Sequence, residues 1–160
     1  MTDELTGLAN HGRFQELLSA EIDQVRRYEH PVGLIMLDID DFKQVNDTWG
    51  HEAGDDVLRG VARILSGCVR PTDLVSRWGG EEFLLILSNM QSSLFELGKI
   101  AERCRKKIGA NEIGSGSIQV SASFGATLLL STDSAEAALK RADDLLYRSK
   151  NSGRNQIAVG

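Results

Sequence analysis

Residues 74–87 read LVSRWGGEEFLLIL, two short apolar runs on either side of a glycine pair. Leu74–Trp78 and Phe83–Leu87 have the length of strands, and Gly79–Gly80 between them suits the positive-φ turn of a tight β-hairpin. A second apolar run, Val32–Leu37, ends in acid as IMLDID and reads as a buried strand. Helical spacing surrounds these runs. Phe14, Leu17, Leu18, Ile22 and Val25 share one face, with Asn10 as the cap. Asp41–Asp47 reads as a short helix broken by a turn around Gly50, and Val57, Leu58, Val61, Ala62 and Leu65 form the next stripe. Leu94–Ile108 is helical in pattern. Ile118–Leu130 reads as a pair of strands, with Gly125 marking a bulge or a close approach. Ala135–Lys150 sets Ala138, Leu139, Ala142, Leu145 and Leu146 on one helical face, and Asn155–Val159 reads as a closing edge strand. Together these segments predict an α/β (α+β) fold, with helices packed on a mixed, largely antiparallel sheet, in one domain over residues 1–160.

Composition narrows the function. The chain of 160 residues is 41% hydrophobic and 26% charged, as in ordinary water-soluble domains. Its formal net charge of −5 lacks the basic footprint of a nucleic-acid binder. No apolar run has the length of a membrane span and no leader precedes the first helix, so the expected setting is cytoplasmic, without membrane contact by this domain. Cys68 and Cys104 fall among apolar neighbours and read as reduced core thiols.

The acids stand where strands end. Asp38 and Asp40 close the run IMLDID, and Glu81–Glu82 follow the glycine pair. If the two strands are neighbours, Asp38 and Glu81 face one cleft. Paired carboxylates of this kind hold divalent metals for attack at phosphorus. The spacing alone also fits a plainer reading, with Asp40 or Asp41 capping a helix and Glu81–Glu82 in a solvated turn. Lys150 and Arg154 fit phosphate contacts or helix C-terminal cations. Asp55 fits a binding role or an ordinary acid early in a helix, and Arg70–Asp73 a ligand site or a surface ion pair.

Four strings taken together decide among these. DELTGLANHGRF (3–14), LDIDDFKQVNDTWGHEAGDDVL (37–58), RWGGEEF (77–83) and YRSKNSGRN (147–155) resemble, in order and over essentially the whole chain, the GGDEF family of diguanylate cyclases. The resemblance implies a palm-like fold related to nucleotidyl cyclases and the condensation of two GTP into cyclic di-GMP. It implies that Asp38, the carbonyl of Ile39 and Glu81 hold Mg2+ (or Mn2+) on the triphosphate, with Glu82 supporting a second ion. Glu81 is also the implied aid to deprotonating the attacking hydroxyl. Gly79 and Gly80 would let the backbone approach the substrate. Phe42 and Lys43 would approach its phosphates, and Lys150 and Arg154 would clamp them from the loop after the last helix.

By the same resemblance Asn46 and Asp55 read guanine. Its N1–H and N2–H are adjacent donors that one carboxylate can accept, and adenine has no such edge. His51 is implied to shape that pocket, and Arg70 and Asp73 to form the inhibitory product site. His11 departs from the Arg common in relatives, Trp78 is read as packing, and Arg77 as a partner of the loop holding Asp3. The motifs supply one half of a two-GTP reaction, which implies a homodimer. Because the chain starts at DELT, an N-terminal sensory or dimerising segment is expected ahead of it. The contrasting reading, a non-catalytic domain that binds GTP or cyclic di-GMP and signals through a partner, would ordinarily have lost the strand-end acids; this chain keeps them.

Overall fold

A computed structural model describes all residues of the chain except Asn89, Ser92 and Ser115. Five strands form one sheet in the order β2-β3-β1-β4-β5. They are β1 (Gly33–Ile39), β2 (Leu74–Arg77), β3 (Glu82–Leu87), β4 (Ala122–Leu128) and β5 (Ile157–Val159). β1 lies centrally, antiparallel to both β3 and β4, and only the β4–β5 pair is parallel. The helices are α1 (His11–Tyr28), α2 (Phe42–Trp49), α3 (His51–Cys68), α4 (Leu94–Ala110) and α5 (Ala135–Asn151).

The period of two along β1 splits the core into two layers. Ile35, Leu37 and Ile39 pack with Phe83, Leu85 and Phe124 against α3 and α4. Leu34 and Met36 pack with Leu84 and Ile86 against α1 and α5. Both sheet faces are therefore covered, and β1 reads as continuous apolar residues until Asp38. Asn10 caps α1 as expected, its side chain accepting from the Arg13 N–H at 3.0 Å. Both cysteines are buried and free.

Two expectations need correction, and one alternative reading falls. Ile118–Leu130 contains one strand, not two. Ile118 pairs only as an isolated bridge with Ile113, and the ladder begins at Ala122. Gly79 and Gly80 do not have positive φ. Four residues, Trp78–Glu81, separate β2 from β3, and a turn of that length does not need the left-handed conformations of a two-residue hairpin. Asp41 precedes α2 at φ 54° and makes no side-chain cap, so neither acid of the pair Asp40–Asp41 serves as a helix cap.

Gly125 is a close approach. A Cβ there would lie 2.3 Å from the Ala142 carbonyl oxygen and 2.4 Å from the Leu146 nitrogen, so α5 rests directly on the backbone of β4. That contact sets the height of α5, whose last turn carries Lys150.

Candidate active site

Asp38 is the last polar step of β1, opposite Glu82 on β3 and Ser123 on β4. The alternation that buries Leu34 and Met36 beneath α5 turns Asp38 toward the same helix, where Lys150 Nζ lies 3.0 Å from Oδ2. Lys150 thus acts from the last turn of α5, not from the following loop. Oδ1 of Asp38 is buried with no hydrogen-bond partner among the described residues. Burial pushes the Asp38 carboxyl up, Lys150 draws it down, and Asp40 pushes it up again.

Glu81 and Glu82 are raised in the same way, first by burial and then by the charge of Asp38, with Lys150 opposing. Two half-buried glutamates whose ionisation the charge of Asp38 hinders form, with Asp38, a site that a cation would relieve. Among the described residues no three His, Cys, Asp or Glu side chains converge as a complete cage. A hard divalent ion that keeps waters and substrate oxygens needs only one or two carboxylates, so the residues fit it. The side chain of Ile39 is buried in the core, leaving only its backbone to serve the site; its N–H donates to the Glu81 carbonyl at 3.2 Å, joining the two strand ends.

Beside these acids is a cleft of about 450 Å³. Phe42, Lys43, Asn46, His51, Asp55 and Leu58 line it from α2 and α3, and Arg77, Gly80 and Glu81 from the hairpin. The structure thus brings together Phe42, Lys43, Asn46 and Asp55 from one stretch of sequence with Gly80 and Glu81 from another. Asp38, Glu82 and Lys150 stand at the strand end on the α5 side, and Glu81 belongs to both groups through its interaction with Asp38. A Cβ on Gly80 would meet nothing within 4 Å, leaving the backbone open to solvent; Gly79 would meet only the Glu82 side chain. Arg154 lies 3.8 Å from Asp41, also at this end of the sheet.

Sequence reasoning passed over two supporting residues. Gly54 is buried, and a Cβ there would fall 1.9 Å from Oδ1 of Asn46. The absent side chain is what lets Asn46 lie against α3 next to Asp55, and its signal was the glycine directly before that acid. Asp40 is the other: it is buried and accepts from the Ser121 and Ser123 hydroxyls. Its signal was an acid directly after an apolar strand.

Arg77 joins the first residues to the site. It pairs with Asp3 at 3.2 Å and donates to the Gly80 carbonyl at 2.9 Å. His11 stacks on Trp78 with ring centroids 3.7 Å apart, and Phe14 meets the same ring edge-on, so Trp78 is a packing residue. At the opposite end of β2, Asp73 accepts from the Arg70 N–H at 2.9 Å and the Ser88 N–H at 3.0 Å. The exposed Arg70 forms no ion pair with it. The RxxD string is therefore a tight turn whose carboxylate braces the backbone and whose guanidinium has no ion-pair partner among the described residues.

Comparison with known proteins identifies the family and the fold. The profile of the family described as "Diguanylate cyclase, GGDEF domain" matches residues 1–156. The response regulator PleD of Caulobacter vibrioides is 38% identical over 162 residues, covering 98% of this chain and 35% of PleD. The diguanylate cyclase SiaD of Pseudomonas aeruginosa, solved with its activator SiaC, superposes with a TM-score of 0.94 at 39% identity, over 99% of this chain and 61% of SiaD. The GGDEF domain of DgcB from Caulobacter crescentus, solved with c-di-GMP, gives 0.91 at 32% identity, over 99% of this chain and 94% of that one. This chain spans little more than a third of the length of the curated relatives that it matches. The chain belongs to the GGDEF family of diguanylate cyclase domains.

Proposed function

We propose that residues 1–160 are a catalytic domain that condenses two GTP into cyclic di-GMP, with pyrophosphate as the second product. The 3′-hydroxyl of each GTP attacks the α-phosphorus of the other, pyrophosphate leaves, and the second such step closes the ring. The observation that carries this reading is the buried Oδ1 of Asp38, without a partner among the described residues, next to two glutamates that the charge of Asp38 raises and beside a cleft lined by Asn46 and Asp55.

Asn46 and Asp55, which line one cleft, would receive guanine, Asp55 by accepting two adjacent donors. Lys43, Lys150 and Arg154 supply charge-assisted donors for the triphosphate. Lys150, now on Asp38, has phosphate oxygens as an alternative partner of the same sign. Asp38, Glu81 and the Ile39 carbonyl would hold magnesium or manganese, with Glu82 beside them. Such an ion, when bound, neutralises charge on the phosphates and lowers the pKa of a nearby hydroxyl. Glu81, raised by burial and by Asp38, is suited to receiving the hydroxyl's proton. Arg70 and Asp73 are proposed as a separate product site. In it the guanidinium of Arg70 is the recognition group and Asp73 retains lone pairs beyond its two backbone bonds. GTP supply places the reaction in the cytoplasm, in a homodimer whose two halves each bring one GTP.

The test is turnover. Incubating the protein with GTP and magnesium should release pyrophosphate and yield a product with the mass of cyclic di-GMP. Asp38→Asn and Glu81→Gln should lower the rate by at least about a hundredfold, on the scale of losing a principal transition-state interaction, with unfolding midpoints preserved. Native-like rates in either variant reject the assignment.

A further inference from the structure

We infer that Asp40 is a positioning residue of this site: its carboxylate holds the Arg154–Asn155 turn in the left-handed conformation that sets Arg154 beside Asp41, just past the end of β1. This rests on the reading that the site binds a nucleoside triphosphate.

Asp40 is 5% exposed. A buried carboxylate is costly unless it is paired or well hydrogen-bonded. No lysine, arginine or histidine pairs with it among the described residues. Neutral donors satisfy it instead. Oδ1 accepts from Ser123 Oγ at 2.6 Å, and Oδ2 from Ser121 Oγ at 2.7 Å and from the Asn155 N–H at 3.0 Å. With both oxygens engaged, Asp40 is directed into β4 and the last turn, unlike Asp38, whose Oδ1 has no partner among the described residues.

The turn it meets needs holding. Arg154 has φ 62° and Asn155 φ 47°, two consecutive residues with side chains in the region that favours glycine. The Arg154 N–H donates to the Ser149 carbonyl at 3.0 Å, and Gln156 Nε2 donates to the Arg154 carbonyl at 3.1 Å. Arg105 Nη1 donates to Asn155 Oδ1 at 2.9 Å. The Asn155 N–H also reaches Ser123 Oγ at 3.2 Å. Of these restraints only Asp40 is both charged and buried, and only Asp40 directly follows β1. It therefore ties the turn that carries Arg154 to the end of β1.

The experiment is a cycle of Asp40→Ala, Arg154→Ala and the double variant, read as binding of 3′-deoxy-GTP, which lacks the attacking hydroxyl, and as KM and kcat with GTP. Asp40→Ala should weaken binding and raise KM about tenfold, the effect of one lost strong phosphate contact, with a smaller change in kcat. The double variant should be no weaker than Arg154→Ala, because Asp40 acts through that turn. Asp40→Asn should recover most of the loss: the amide oxygen can accept from Ser121 and Asn155 while its NH2 donates to Ser123. If Asp40→Ala does not fold, Ser123→Ala replaces it, with the same expected direction alone and no added effect in Arg154→Ala. Native-like affinity in the Asp40 or Ser123 variant, or losses that add to that of Arg154→Ala, overturns this inference alone. A native protein that neither binds nor turns over GTP overturns the functional reading and this inference with it.

Discussion

At the scale of single residues, the groups that bear the proposed chemistry were legible and those that hold them were not. Asp38 and Glu81 stood out because acids beside apolar runs and glycines need an explanation, whereas Asp55 was singled out only by the family resemblance. Gly54 and Asp40 act only through neighbours that are close in space and not in sequence. The tightness at Gly54 makes a direct prediction. Gly54→Ala puts a methyl 1.9 Å from the present Asn46 oxygen, so the Asn46 amide must move away from Asp55. GTP affinity should fall about tenfold, roughly the effect of one misplaced polar partner, while the far-ultraviolet circular dichroism stays native. Calorimetric titration against GTP and ATP checks this, and unchanged affinity for GTP would detach Asn46 from base recognition.

At the scale of elements, periodicity carried most of the reading. α1, β1, the β2–β3 hairpin and α5 were found where the apolar spacing put them. The segment from Ile118 misled because Ile118 and Val120 continue the alternation of β4 and are buried, yet lack a neighbouring strand for a ladder. The parallel β4–β5 pairing was illegible, since its register depends on the turn at Arg154–Asn155. The seating of α5 on β4 is testable at Gly125. Gly125→Ala should destabilise by about 1–3 kcal/mol or more, as overpacking against rigid backbone does, seen as a lower urea midpoint, and should lower turnover by lifting Lys150. Full stability in this variant would contradict the close contact.

The other end of α5 is fastened by Asp133, which is 3% exposed. Arg141 donates to both of its oxygens, at 3.0 and 2.8 Å, and the Leu130 N–H adds a third bond at 2.8 Å. Burial pushes this carboxyl up, but Arg141 and Leu130 more than offset it, leaving it below its ordinary value. A depressed carboxyl contributes its stability above the unfolded-state pKa of about 4 and loses it as pH falls through the lower folded value. Asp133→Asn should therefore cost about 3 kcal/mol at pH 7, and its gap from the native protein should narrow below pH 4. Urea unfolding at both pH values checks this; a gap independent of pH would show that the ion pair is not its source.

At the scale of the whole molecule, each chain presents one cleft proposed for guanine, one cluster of acids and one set of cations proposed for phosphate. A product made from two GTP needs two such sets facing each other. The initial rate per chain should accordingly rise with protein concentration, and fusion to a dimerising helix should raise it further through effective concentration. Specific activity that stays flat down to concentrations where light scattering shows monomers would refute the half-site arrangement. Within one chain, the guanidinium of Arg77 grips Asp3 on one side and the Gly80 carbonyl on the other. It works as a strut without slack. Asp3 is bonded in turn to Thr6, through both its N–H and its hydroxyl, so the opening residues are folded onto the strut and do not trail from it. A tug on the chain just before Asp3 would be felt at Gly80, on the rim of the cleft, with only one side chain between them.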